Sequence, residues 1–203
     1  ALITGFPTAI SAAVPDTDAA ASVLVGAISN AIMLTRAPVL VPLQRFQSAL
    51  VVRFVQQRAR IYRALAAPVG TVLGLGAVGF VAAWVVGPWI LRAAFRPELY
   101  VGGLTLGLLT FASAFMGTLM VTGVAVLAME RHGWYVAGWI AASAVAFTIL
   151  FVGPWGVVAN VVVALYLGPV AGALVHAAGL RRASRDPAGD PAAPASPAAG
   201  PRK

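Results

Sequence analysis

The chain has 203 residues, 60% hydrophobic and only 10% charged, with a mean hydropathy of +0.89, more apolar side chain than a soluble core of this size needs, so the bilayer is the expected solvent. The formal net charge of +8 does not indicate nucleic-acid binding, because the fourteen cationic residues fall mainly between apolar runs rather than across a polar face. The absence of cysteine excludes disulfides, thiolate metal sites and thiol nucleophiles from these residues.

In chain order, the first apolar run, ALITGFPTAISAAV, ends at Val14. It would make roughly 21 Å of helix, too short to span alone, so it is expected to be a partial span in a chain that begins inside a helix. A long segment follows from about 20 to 57, then spans near 68–91, 102–129, 134–153 and 157–180. The expected fold is therefore an all-α integral membrane helix bundle, with about five full transmembrane helices and an N-terminal stub. Residues 1–180 form the membrane region. Residues 181–203, rich in Pro, Ala and Gly and without large apolar side chains, read as a disordered tail.

Arginine placement orients these spans. Arg58, Arg60, Arg63, Arg131, Arg181, Arg182, Arg185, Arg202 and Lys203 fall in one alternating set of connections, and Arg92 and Arg96 in the other. The first set is expected on the cytoplasmic side, with the C-terminus, and Asp16, Asp18, Glu98 and the turn Val152–Gly156 opposite. Trp84, Trp89, Trp134, Tyr135, Trp139 and Trp155 lie near expected span ends and read as interface anchors. The pairs Gly70/Gly74, Gly103/Gly107 and Gly168/Gly172 are spaced for close approach of helices in lipid.

Catalytic signals are sparse. Asp16-Thr17-Asp18 matches the two-carboxylate pattern with which many glycosyltransferases hold a metal and a nucleotide sugar, but it sits in a short outer loop and reads as ordinary loop carboxylates. His132 and His176 lack neighbours at metal-ligand spacing. They read as a loop residue and as an interfacial or packed residue. Asn160 reads as a helix-to-helix hydrogen-bonding group. No catalytic residue, metal site or cofactor is expected.

The long segment is the exception to this plainness. As one helix it would reach about 57 Å against a hydrocarbon thickness of roughly 30 Å, and Pro38 and Pro42 are expected to bend it. Arg36 falls near its midpoint, where a lipid-facing charge costs from about 3 kcal/mol upward. At 100° per residue, Ser29, Arg36 and Gln47 share one face to within about 20°, with Gln44 about 80° away and Arg45 on the other side. Two uses are open for Arg36: donating to carbonyls freed by the prolines, or to Thr35 and Asn30, and so locking a bend; or facing an aqueous cavity and attracting an anion such as phosphate. Arg45 and Arg53 would extend the second path toward the cytoplasm, or snorkel to the interface. For Arg58, Arg60 and Arg63, topology and contact with anionic lipid suffice.

The stretch ISNAIMLTRAPVLVPLQRFQSALVVRFV, Ile28 to Val55, resembles the long eighth helix of polysaccharide flippases in the multidrug/oligosaccharidyl-lipid/polysaccharide exporter superfamily, in which an Arg-x-Pro is followed by an apolar stretch and a Gln. GPWILRAAFRPELYVGGLTLGLLTFAS, Gly87 to Ser113, resembles the next hairpin of that family, with Arg96 where a Gly commonly follows the Phe. The resemblance covers about residues 1–180. It implies the second six-helix lobe of a two-lobe transporter in the bacterial inner membrane, completed by an N-terminal lobe of the same protein. The implied cargo is a polyprenyl-pyrophosphate-linked oligosaccharide moved between leaflets by alternating access, with Arg36, Gln44, Arg45 and Gln47 lining the cavity. Membrane lipids are the other expected partner, and nucleic acid is not. Two rivals stand beside this reading. A drug exporter of the same fold would draw on intramembrane acids, and a membrane polymerase or ligase of polysaccharide assembly would need a large outer loop.

Overall fold

The computed structural model describes residues 5–13 and 19–185. Asp16, Asp18 and residues 186–203 lie outside the described residues, as do the side chains of Pro38, Pro42, Gln44 and Arg185. The described residues form helices joined by short connections: α1 (Phe6–Ala12), α2 (Ala19–Arg45), α3 (Gln47–Gln56), α4 (Ile61–Val85), α5 (Gly87–Ala94), α6 (Gly103–Ala128), α7 (His132–Val152) and α8 (Val157–Arg185). Single 3₁₀ turns at Arg58–Arg60 and Pro97–Leu99 flank the hairpin around α4 and α5. No strand occurs among the described residues.

Among the described residues, four helical stretches are long and apolar enough to cross a membrane: Arg58–Val85, Gly103–Ala128, His132–Val152 and Val157–Ser184. The expected fifth crossing, 20–57, is instead two helices separated by a turn at Phe46, and among the described residues Ser22–Arg36 forms a shorter apolar stretch within it. Gln44, Arg45, Gln47 and Arg53 make the sequence on either side of that turn more polar. The backbone stays helical through Pro38 and Pro42, and the helical run breaks four residues after the second proline, at Phe46 with φ −90° and ψ 0°. The span expected at 68–91 also shifts: α4 starts at Ile61 with Pro68 inside it, and Gly87-Pro88 opens the separate helix α5. Helix α8 runs five residues past the expected end at 180.

Helix α6 is the axis. One side of it, through Leu106, Leu109, Met116 and Leu119, joins a buried cluster with Phe6 and Ile10 of α1, Ile28 and Ile32 of α2, and Ala142 and Ala146 of α7. The other, through Ala114, Val121, Val124 and Ala125, packs on Phe54 of α3 and Ile61, Leu65 and Val72 of α4. A helix clothed by neighbours on both sides shows no polar stripe, which is why its sequence reads as apolar all round.

Two of the three glycine pairs mark contacts. A Cβ on Gly107 would stand 3.0 Å from the carbonyl oxygen of Phe80, and one on Gly103 would meet that of Trp84, so α4 and α6 run antiparallel at close range. In the α7–α8 hairpin, Gly168 and Gly172 approach the carbonyls of Ala142 and Gly138, at 2.8 and 2.6 Å from a Cβ built on each. Gly70 and Gly74 meet nothing within 4 Å. Side-chain-free surfaces let helices approach where lipid supplies no hydrophobic drive between them.

The connections sort into two ends. At one, Arg58 Nη2 donates to Glu130 Oε1 (2.8 Å), tying the start of α4 to the α6–α7 turn, and Arg182 lies 5.0 Å above the Trp134 ring, tying the end of α8 to the start of α7. At the other, Arg92 lies over Tyr100 (4.9 Å) and its Nη2 reaches the phenol oxygen at 3.3 Å. Glu130 occupies the left-handed region at φ 60°. The Glu130 N–H donates to Leu127 (2.9 Å) and the Arg131 N–H to Val126 (3.2 Å), closing α6 with a Schellman motif at whose special position glycine is usual. The ion pair offsets the conformational cost of glutamate there. The Arg58 hydrogen bond holds the Glu130 carboxyl below the ordinary carboxylate range.

Candidate functional site

Two polar residues of α2, Thr35 and Arg36, are buried. Arg36 is 8% exposed, as is Thr35. The Arg36 guanidinium carbon lies 6.0 Å from the centroid of the Phe6 ring, near the outer limit of a cation–π contact. Phe6 in turn stacks on Phe147 of α7, with centroids 6.3 Å apart and planes at 15°. The aromatic pair therefore carries the environment of Arg36 across from α1 to α7. The Thr35 hydroxyl is shared between the carbonyls of Ala31 (2.8 Å) and Ile32 (3.2 Å), so its proton is engaged within α2. Nearly two turns before Arg36, Asn30 Nδ2 and Ser29 Oγ are buried without a hydrogen-bond partner among the described residues. A buried donor left unmade costs about 1–3 kcal/mol, so these two atoms are an expense that apolar core residues would not carry.

The other residues of the expected cavity stand elsewhere. Arg45 is exposed, nine residues and about 13.5 Å along the helix from Arg36. Gln47 is exposed at the start of α3 and edges a crevice with Leu43, Leu50, Met120, Val121 and Val124 that has no room for water. The Gln44 side chain lies outside the described residues. Next to this region, a groove of about 330 Å³ between α3 and α4 is lined by Phe46, Ala49, Leu50, Arg53, Pro68 and Thr71, among others. Arg36 is thus set apart from Arg45 and Gln47, the turn at Phe46 having taken α3 off the line of α2.

Two further polar groups lie inside the bundle. Asn160 closes the α7–α8 connection: its Nδ2 donates to the Gly153 carbonyl (2.7 Å) and its Oδ1 accepts from the Trp155 N–H (3.2 Å). This replaces the helix-to-helix role expected from sequence. His176 is fully buried between α6 and α7, with Nδ1 3.1 Å from Thr122 Oγ1 and Nε2 3.2 Å from the Tyr135 carbonyl. A Cβ on Gly138 would fall on its ring. The glycine that makes this room carries no signal in sequence, because the three residues are 38 or more positions from His176 except through folding.

The chemistry on offer is recognition of charge. Thr122 and His176 form a hydroxyl–imidazole pair, but a carbonyl rather than a carboxylate orients the ring and no substrate reaches a fully buried side chain. Among the described residues no group of three or more His, Cys, Asp or Glu could hold a metal ion. Arg36 offers a planar set of donors that suits a phosphate or carboxylate.

Curated relatives come from mycobacteria. Uncharacterized protein Rv1510 of Mycobacterium tuberculosis is 43% identical over 157 residues, which cover 77% of this chain and 36% of the relative. Uncharacterized protein Rv3630 of the same organism and Uncharacterized protein Mb3654 of Mycobacterium bovis are each 39% identical over 181 residues, covering 89% of this chain and 41% of the relative. The chain therefore spans roughly two fifths of the length of these relatives. No family model and no solved structure matches it.

Proposed function

We propose that these helices belong to a bacterial inner-membrane transporter that carries a polyprenyl-pyrophosphate-linked oligosaccharide from the inner to the outer leaflet by alternating access, for cell-surface polysaccharide assembly. The observation that carries this reading is the sign of the charge inside the bundle. Arg36 is buried on α2, the helix that also carries the unsatisfied Ser29 and Asn30, whereas Glu98 and Glu130 stand in connections at the ends of the long helices. A buried guanidinium favours an anionic cargo, and a cation exporter would draw on buried acids instead. The length of the mycobacterial relatives leaves room for a second helical lobe to complete a pathway around α2. As a transporter the protein makes and breaks no bond in its cargo. The C-terminus of α8 lies on the cytoplasmic side in this reading, with the arginine-rich end.

The test is transport by the full-length protein in proteoliposomes loaded with a labelled polyprenyl-pyrophosphate oligosaccharide, followed by the fraction of saccharide that an added glycosidase can reach. The expected result is protein-dependent gain of accessibility. Accessibility equal to protein-free vesicles, with uptake of a cationic drug instead, would assign the fold to drug export.

A further inference from the structure

We propose that His176 is a proton-binding site in the interior of the helix bundle, whose partners accommodate both the neutral and the protonated ring without moving a heavy atom. The Tyr135 carbonyl, 3.2 Å from Nε2, can only accept, so Nε2 carries a proton in either state. The Nδ1 atom faces Thr122 Oγ1 at 3.1 Å, and a hydroxyl can donate or accept. In the neutral ring Nδ1 has a lone pair, and the threonine hydroxyl points at it. In the protonated ring Nδ1–H donates to Oγ1, and the hydroxyl proton needs another acceptor. One is in place: the Leu119 carbonyl lies 3.0 Å from Oγ1. Rotation of one hydroxyl therefore converts the site from one protonation state to the other.

The surroundings fit such a role. The groups that face the ring are Thr122 and Gly123 from α6 and Tyr135 and Gly138 from α7; Tyr135 is the titratable one among them and none is charged. The charged groups lie toward the helix ends: Arg131 on the α6–α7 turn, Glu130 paired with Arg58, and Arg181 and Arg182 on α8. His176 is five residues, or about 7.5 Å of helix, from Arg181, so the site is a short distance inside the arginine-rich end. The Tyr135 ring lies parallel to the imidazole at 3°, with centroids 6.0 Å apart, and the same residue lines a groove of about 510 Å³ with Trp139, Ile140 and Ser143. Protonation replaces the neutral hydrogen bond between α8 and α6 with a charge-assisted one, which offsets part of the cost of a charge in a buried site. The site is independent of what the protein carries, and it supplies a proton-dependent step to whichever transport cycle the bundle serves.

The experiment is nitrogen NMR of ¹⁵N-histidine-labelled full-length protein in nanodiscs, from about pH 4.5 to about pH 8. The His176 signals are assigned by their loss in His176→Gln. The expected result is the Nε2–H tautomer at high pH and an imidazolium at low pH. Thr122→Val removes the acceptor of the second proton and is expected to lower the midpoint by about one pH unit, a tenfold loss of proton affinity. Thr122→Ser, which keeps the hydroxyl, is expected to titrate as the wild type. A ring that stays neutral over the whole range, an Nδ1–H tautomer at high pH, or a wild-type midpoint in Thr122→Val would each overturn the proposal.

Discussion

Substituting Gly138 by alanine puts one methyl group where the structure has no room for it. The new Cβ would fall on Nε2 and Cδ2 of His176 and 2.9 Å from Cε1. The ring cannot retreat without losing a hydrogen bond: Nδ1 is held at 3.1 Å by Thr122 and Nε2 at 3.2 Å by the Tyr135 carbonyl. The backbone is no freer, because the Gly138 carbonyl is the surface on which Gly172 of α8 rests. Relief must come from separating α7 and α8 or from breaking a histidine hydrogen bond, and overpacking of this kind costs about 1–3 kcal/mol. For a membrane region of this size that is a fall of roughly 2–12 °C in the apparent melting temperature. The assay is thermal unfolding in detergent, with Gly74→Ala as control, since nothing lies within 4 Å of a Cβ there. Gly74→Ala is expected to melt at or above the wild-type temperature, because alanine favours the helix by up to about 1 kcal/mol. The double variant Gly138→Ala/His176→Ala should recover part of the loss, as residues in contact couple. Equal melting of Gly138→Ala and Gly74→Ala, or no coupling with His176, would refute the packing described for the α7–α8 hairpin.

Two further outcomes follow from single contacts. Asn160→Ala leaves the Gly153 carbonyl and the Trp155 N–H without their partner, and is expected to lower stability by about 1–3 kcal/mol, read as a lower melting temperature and faster amide exchange confined to residues 153–156. Glu130, whose carboxyl is held below its ordinary value of 4.5 by the Arg58 hydrogen bond, contributes stability above that value that is lost as pH falls through the depressed one. Acidification below the usual carboxylate range should therefore detach the α4 start from the α6–α7 turn, seen as increased mobility of a spin label at the neighbouring exposed position, Ala59→Cys, relative to neutral pH. Glu130→Gln should show that mobility at all pH values, and a wild-type label unmoved by acid would contradict the pairing.

Helix ends bounded by strong punctuation were legible in the sequence: α6 and α7 lie within two residues of their expected limits, because Glu130-Arg131 and Gly153-Pro154 break the apolar runs sharply. The start of α4 was not, because Arg63 and Pro68 read as boundary residues, while the helix carries the first on an exposed side and accommodates the second within its opening turns. The long segment around Arg36 was located correctly as an unusual element, but its division at Phe46 was not foreseen. A proline removes a hydrogen bond at a known position, whereas where the chain then turns depends on what it packs against, here α6 and α4. The burial of Arg36 agrees with the expectation that it avoids lipid, and its contact with Phe6 joins residues 30 positions apart that no helical periodicity connects. The pairing of His176 with Thr122, Tyr135 and Gly138 was invisible for the same reason, sharpened by α6 and α7 being apolar all round and showing no favoured face.

The central claim is that the buried guanidinium of α2 serves an anionic, lipid-linked cargo, and one measurement meets it most directly: the leaflet distribution of polyprenyl-linked precursor in cells whose full-length protein carries Arg36→Ala or Arg36→Lys. The account predicts precursor accumulating on the cytoplasmic leaflet with Arg36→Ala and partial recovery with Arg36→Lys, which keeps the charge but loses the planar donor set. Normal export with Arg36→Ala, in protein that folds and reaches the membrane, would contradict it and leave Arg36 as a packing element against Phe6.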